Sequence, residues 1–303
     1  MFNKHPNFTM FVGLPGSGKS TWCEPYERNP KCKVISSDAI RKELYGDENC
    51  QDNPQKVFDI MKERTLDALD KGYDVAYDAT NIIRKFRVEF LKCLPPYVNK
   101  IAFICWAPLE VCIERDGKRD RTVGKAVIDK MVRRWETPYY DEGWDLIYLN
   151  RSAVWDPVKY RENLVHSMDI PQDNPHHTLS VLNHCMTALE LYDRMYVTTT
   201  GNVPLYYCRE AVLFHDCGKP YTKTFVNKKG ETTDVAHYYS HENVGAYFIF
   251  GLFPGGADSD AIYASWLVNS HMCQFINEKY YKSLPTYLKE QVNLIHEADK
   301  LAH

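Results

Sequence analysis

Gly13-Leu14-Pro15-Gly16-Ser17-Gly18-Lys19-Ser20-Thr21 is the stretch on which the first half of the chain turns. Its spacing, Gly-x4-Gly-Lys-Ser/Thr, carries meaning only with a strand before it and a helix after it. The flanks supply both. Phe8-Thr9-Met10-Phe11-Val12 is apolar and rich in strand formers, and Ser20 to Arg28 can begin a helix. Glycines let the backbone curl so that successive N–H groups point inward at phosphate oxygens. The helix N-terminus adds partial positive charge.

The expected cradle for the phosphates of ATP is Gly13, Pro15, Gly16, Ser17, Gly18, Lys19, Ser20 and Thr21. Lys19 reaches the β- and γ-phosphates and the Ser20 hydroxyl holds Mg2+. Downstream, short apolar strands alternate with helical runs. Lys33-Val34-Ile35-Ser36-Ser37 is a strand, followed by Asp38 and the helical run Ala39 to Leu44. Asp38 therefore stands at a strand's C-terminal end, where open α/β sheets bind ligands, or caps the helix. Pro54 to Gly72 repeats its apolar residues at helical spacing. The next strand, Tyr73 to Tyr77, ends in Asp78-Ala79-Thr80-Asn81, and Arg84 and Arg87 follow on a helix. Asp78 suits the orientation of Mg2+ or of a substrate-binding arginine, or an Asx turn. Lys100 to Cys105 is a near-continuous apolar strand, as in a sheet covered on both faces. Arg115 to Arg121 is a basic run between two helices, placed to close as a lid over ATP. A helix from Lys125 to Trp135 and a last strand, Leu146 to Leu149, complete this half.

The 303 residues predict two domains of about 100–200 residues each, placed at 1–160 and 161–303. Pro157, Pro171 and Pro175 punctuate the junction. A net charge of -3 supplies no global basic field, so contact with nucleic acid rests on local patches. No apolar run spans a bilayer and the N-terminus lacks the apolar core of a signal peptide, so a cytoplasmic location without membrane contact is expected, in the host cytoplasm for a viral chain. The ten cysteines form no Cys-x-x-Cys pair and read as reduced thiols.

The second half turns helical and gathers histidines. His184 lies on a helix from about His177 to Tyr196, and His215-Asp216-Cys217-Gly218-Lys219-Pro220 ends the next. A polar hairpin turns at Lys228-Lys229-Gly230. His241 opens a helix, His271 ends one, and Asp299 sits in the last. Imidazoles and carboxylates in this pattern suit Mn2+, Fe, Ni2+, Co2+ or Zn2+.

Two resemblances follow from these residues. From about Thr9 to Asn150, the glycine loop, Ser36-x-Asp38-x-x-Arg41, Asp78-x-Thr80-Asn81 and Arg115-x-x-x-Arg119 resemble the phage-type 5′-hydroxyl polynucleotide kinases. The resemblance implies an α/β P-loop domain in which Asp38 is the general base and Arg41 binds the phosphate beside the acceptor. It also implies that Asp78 organises that pocket and that Arg115 and Arg119 are lid residues on ATP. Members often carry Val-Pro after the lid; this chain has Val123-Gly124, which leaves Arg119 and Arg121 both as candidates. From about His176 to His303, the chain resembles the HD-domain metal-dependent phosphohydrolases, an all-α family. That resemblance implies His184, His215, Asp216 and Asp299 as ligands of one metal, His241 and His271 as ligands of a second or as phosphate contacts, and Lys219 as a phosphate contact.

Together they imply a bifunctional end-healing enzyme acting on broken RNA or DNA ends: a 5′-hydroxyl kinase joined to a 3′-phosphatase/2′,3′-cyclic phosphodiesterase. Its partner would be a separate ligase, since the chain carries no ligase motif. The alternatives are a nucleoside or small-metabolite kinase fused to an HD nucleotidase, and a non-catalytic nucleotide sensor.

Overall fold

The computed structural model describes residues 5–48, 50, 52–119, 122–151, 155–175 and 178–302. The chain divides into two compact units, Met1–Met131 with Pro138–Val154, and Val132–Thr137 with Trp155–His303.

The first unit is a parallel sheet with helices. Its elements run β1 (Asn7–Val12), α1 (Lys19–Glu27), β2 (Cys32–Ser36), α2 (Ser37–Tyr45), α3 (Pro54–Asp70), β3 (Asp74–Asp78), α4 (Arg84–Leu91), β4 (Asn99–Trp106), α5 (Leu109–Gly117), α6 (Lys125–Val132) and β5 (Leu146–Arg151). All five strands are parallel, in the order β2-β3-β1-β4-β5. Phe8 to Val12 on the central β1 are all buried, and all but Thr9 are apolar, as a strand covered on both faces requires. The order reverses at β1. Its C-terminal end lies at a switch point between β3 and β4, and the glycine loop leaves from there.

In the second unit the elements are α7 (Pro157–Met168), α8 (Val181–Thr200), α9 (Tyr206–Leu213), α10 (Lys219–Thr222), the antiparallel strands β6 (Thr224–Val226) and β7 (Thr232–His237), α11 (His241–Ile249), α12 (Asp258–Ser270), α13 (Cys273–Ile276), α14 (Glu278–Ser283) and α15 (Thr286–Leu301). The hairpin turns at Gly230, which has φ +86°. The core forms where α11 packs on α12, α8 on α15, and α12 on α9.

Helix α7 falls in the stretch that the prolines marked as junction. Asp156 caps it through its carboxylate to the N–H groups of Val158 and Lys159, and Pro157 sits in the first turn, where its missing N–H costs nothing. Helix α6 stops at Val132, short of the expected Trp135. Val132–Thr137 instead packs into the second unit. Trp135 is fully buried there, edge-on to Tyr247, and Thr137 Oγ1 meets Ser265 Oγ at 2.7 Å. All ten cysteines are unbridged. No helix among the described residues is long and apolar enough to cross a membrane.

Candidate active sites

The glycine loop is tightly fitted to its own unit. Gly16 has φ +76°, and a Cβ there would stand 2.3 Å from the carbonyl oxygen of Cys112. Only glycine satisfies both constraints. Gly13 N–H donates to the Thr80 carbonyl at 3.0 Å, which ties the loop to the end of β3. Lys19 Nζ donates to the carbonyls of Gly13 (3.0 Å) and Leu14 (2.9 Å), curling its ammonium back over the loop. Ser20 and Thr21 follow in the exposed first turn of α1.

Asp38 is not the helix cap. Ser36 occupies that position and Asp38 lies in the first turn of α2. Its Oδ1 accepts from Arg41 Nη1 at 2.8 Å; the aspartate side chain is 47% exposed and the arginine 10%. The carboxylate is thus half-exposed while the guanidinium beside it is sequestered. Arg41 Nε is buried with no hydrogen-bond partner among the described residues, a donor placed for an anion. Asp78 ends β3 in register with Phe11 and Ser36. Burial raises its carboxyl above the usual range, the Lys19 ammonium opposes that shift, and the Asp38 charge adds to it. Lys19, Asp38 and Asp78 are therefore electrostatic neighbours.

The support behind these groups was not legible as function. Asn81 adopts φ +50°, and its amide donates to the Phe11 carbonyl at 2.7 Å. Arg87, fully buried, donates to the Asn81 carbonyl at 2.9 Å and makes a two-pronged pair with Glu142 at 2.8 and 2.5 Å. The Asp-x-Thr-Asn signal located Asn81, but nothing in sequence joins Arg87 to a carboxylate 55 residues away.

At the basic run, Arg115 Nη1 donates to the Gly16 carbonyl at 3.3 Å. Arg119 N–H donates to the Asp116 carbonyl, and Arg121 lies outside the described residues. Asp116 is 1% exposed and accepts from Thr122 Oγ1 (2.6 Å) and from the N–H groups of Val123 and Gly124. Burial works against its charge, but those donors hold its carboxyl below the usual range. Gly124 has φ +85° and donates its N–H at 2.9 Å, neither of which proline can do. The departure from Val-Pro at this point thus has a structural reason.

In the second unit, His184 on α8, His215 and Asp216 after α9, and Asp299 on α15 converge, with one potential ligand atom from each all within 4.8 Å of one another. Asp216, His241 and His271 form a second such group. His184 Nε2 stands 2.8 Å from Asp299 Oδ1 and 3.6 Å from Asp216 Oδ2. His215 Nε2 stands 3.4 and 3.5 Å from Asp299 and Asp216. His241 Nε2 lies 3.2 Å from the other oxygen of Asp216, Oδ1. The approach of α11 depends on Gly218, where a Cβ would stand 2.1 Å from the His241 carbonyl oxygen.

Every imidazole is aimed by the same device. Nδ1 of His184, His215, His241 and His271 meets the backbone carbonyl of Ala302 (2.6 Å), Val212 (2.7 Å), Tyr238 (2.9 Å) and Val268 (2.6 Å) respectively. A carbonyl only accepts, so Nδ1 donates, and in the neutral ring the Nε2 lone pair points into the cluster. Nε2 of His215 and of His271 are buried with no hydrogen-bond partner among the described residues. Burial is the main cause that pushes the His271 pKa down to about 3, so this ring is neutral. Burial opposes ionisation of Asp299, yet the His184 and His215 rings facing it hold its carboxyl well below the usual range. Orphaned buried Nε2 atoms facing ionised carboxylates fit a divalent transition-metal cation.

Lys219 does not reach open solvent. Its Nζ lies 2.6 Å from Asp216 Oδ2 and donates to Gln172 Oε1 at 2.8 Å, with the residue 7% exposed. It borders a cavity of about 340 Å³ that also touches Asp216, His241, His271 and Asp299. Gln172 is 1% exposed, and no sequence signal marks it.

The folds and sites define a P-loop kinase-type domain followed by a helical HD domain. Comparison with known proteins agrees: residues 8–138 match the AAA-domain family model and residues 176–303 the HD-domain model. Among curated proteins, the chain is 31% identical over 147 residues to the transcription factor bHLH140 of Arabidopsis thaliana (46% of this chain, 15% of that protein). It is 25% identical over 176 residues to the L-seryl-tRNA(Sec) kinase of Methanococcus maripaludis (54% of this chain, 66% of that protein). The matches thus span less than two thirds of either relative. Similar solved structures include the Pnkp1/Rnl/Hen1 RNA repair complex, at 23% identity over 43% of this chain and 44% of that one, TM-score 0.38. A gluconokinase from Sinorhizobium meliloti is 19% identical over 50% of this chain and 86% of that one, TM-score 0.37.

Proposed function

We propose that the chain is a bifunctional end-healing enzyme that phosphorylates 5′-hydroxyl ends of broken RNA or DNA with ATP and removes 3′-phosphate or opens 2′,3′-cyclic phosphate ends. The observation that carries this reading is the presence in one chain of two separate phosphate-handling constellations: Lys19, Asp38, Arg41 and Asp78 around the glycine loop, and two histidine–carboxylate groups sharing Asp216. In the kinase half, the loop amides, Lys19, Arg115 and Arg119 would hold ATP and Ser20 its Mg2+. Asp38 aligns the acceptor hydroxyl and takes its proton, and Arg41 holds the neighbouring phosphate. In the HD half, His184, His215, Asp216 and Asp299 would hold one ion. When bound, such an ion supplies Lewis acidity toward a phosphate ester. Lys219 fixes the Asp216 carboxylate and leaves its remaining donor capacity for a phosphate oxygen.

Asp216 turns Oδ2 toward His184 and His215 and Oδ1 toward His241. If two ions were bound, Asp216 would be a ligand of both, and His241 and His271 would hold the second with it. His271→Ala is expected to lower bound metal from two equivalents per chain to one, by elemental analysis after dialysis against Mn2+ or Ni2+. A value unchanged by the substitution would return His271 to a supporting role.

The test of the function feeds 5′-hydroxyl, 3′-phosphate and 2′,3′-cyclic-phosphate RNA and DNA oligonucleotides to the protein with ATP and several divalent metals. Phosphate gain at 5′ ends and loss at 3′ ends is expected, leaving ends that a separate ligase can seal. The match to a kinase named for L-seryl-tRNA(Sec) favours, as a second reading, transfer to a hydroxyl other than a nucleic-acid 5′ end. Phosphorylation of free nucleosides or small alcohols, with none of oligonucleotides, would select it.

A further inference from the structure

The cavity beside the HD cluster has two unlike sides. Asp216, His241 and His271 form one; His237, Tyr238 and Tyr239, at the end of the β6–β7 hairpin, form much of the other. A bare phosphate such as pyrophosphate offers nothing for three consecutive aromatic rings to contact. These rings are not equivalent. The Tyr238 hydroxyl is bonded to the Gln172 carbonyl, and Lys219 Nζ lies 5.5 Å from its ring centroid, so Tyr238 is committed to the wall. Tyr239 lies nearly parallel to His237, with ring centroids 5.4 Å apart and planes 9° from each other. The pair is a ready stacking platform. The exposed Lys228, at the hairpin turn, places Nζ 5.4 Å from the Tyr239 ring centroid. Lys229 is its exposed neighbour. A polyanion drawn to this hairpin meets cation and π-face together, the combination that single-stranded nucleic acid uses.

We propose that Tyr239, backed by His237, is the base-stacking element of the HD site. It receives the terminal nucleobase of a single-stranded 3′ end and so delivers that end's phosphate to the histidine–carboxylate cluster, while Lys228 takes the next phosphate of the strand. The inference rests on the phosphohydrolase reading above and adds what that reading lacks, a device that selects a nucleotide end over other phosphate esters. The stack is tolerant of base identity because every base presents a π-face. The site therefore discriminates a base-bearing end from an abasic one, and not one sequence from another.

The test compares two oligonucleotides that differ only at the 3′-phosphorylated terminus, one bearing its base and one abasic, with the full chain and its activating metal. A preference of about tenfold in kcat/KM for the base-bearing end is expected. Tyr239→Ala should collapse that ratio toward one, while Tyr239→Trp, which keeps a π-face, should restore it. A terminal 2-aminopurine should be quenched on mixing with the wild-type chain and the Trp variant, and not with the Ala variant. Equal rates on both ends with the wild type, or a ratio that survives Tyr239→Ala, would overturn the stacking role and leave the phosphohydrolase standing. Absence of hydrolysis from either end with every divalent metal would overturn both.

Discussion

Asp216→Ala is expected to reduce hydrolysis of 3′-phosphate ends by more than ~100-fold, beyond what loss of a ligand's outer partner costs, and to leave 5′-phosphorylation intact. The geometry concentrates the effect. Asp216 is the residue shared by both candidate metal groups, and it is 2% exposed. Its removal deletes a donor from each group and strips Lys219 of the carboxylate 2.6 Å away. A buried ammonium without its partner destabilises the unit, so Asp216→Asn, which keeps the shape and one oxygen, is the companion variant. Burial disfavours the Asp216 charge, yet Lys219 and His215 hold its carboxyl well below the usual range, so the aspartate remains an anionic donor wherever the enzyme works. The measurements are metal content per chain and the two end-healing rates measured side by side. If both rates fell together in a chain that still melts normally, the two constellations would not be separate catalytic modules.

Asp38→Asn is expected to lower 5′-phosphorylation by ~10²- to 10⁴-fold, the range a positioned general base contributes, with ATP binding retained. Asparagine fills the same volume, and its Oδ1 can still accept from Arg41 Nη1, so the guanidinium keeps its place. What would be lost is the proposed capacity to take a proton from the acceptor hydroxyl. Lys19 and the loop amides, which would hold ATP, are untouched. Equilibrium binding of a fluorescent ATP analogue separates the two effects. A variant that still phosphorylates a 5′-hydroxyl oligonucleotide at the parental rate would take the base role from Asp38 and point to Asp78, the carboxylate that feels both Lys19 and Asp38.

Much of this molecule was readable before any coordinates because its chemistry is local. The glycine loop works through its own amides, so a nine-residue string carries both its shape and its ligand class. His215 and Asp216 are adjacent at a helix end, and a residue pair that short survives as a pattern. Helix α7 was not expected: Pro157, Pro171 and Pro175 read as a junction, although Asp156-Pro157 forms the capped start of that helix. The hairpin was expected from Lys228-Lys229-Gly230, whereas the stacking of Tyr239 on His237 was not. Adjacent aromatics in sequence do not say which faces the other.

The sequence by itself determined the strand–loop–helix that cradles phosphate, the alternation that builds a parallel sheet, and the residue types able to hold a metal. These rest on backbone conformation and on spacing within one element. Tertiary structure decided which groups meet. His184 and Asp299 are separated by 115 residues and touch at 2.8 Å; Arg87 finds Glu142; Lys219 turns inward to Gln172 and Asp216; and Val132–Thr137 packs into the second unit. Each of these follows from burial, since a charge or imidazole taken out of water must find its partner wherever packing brings one, and packing does not respect order along the chain.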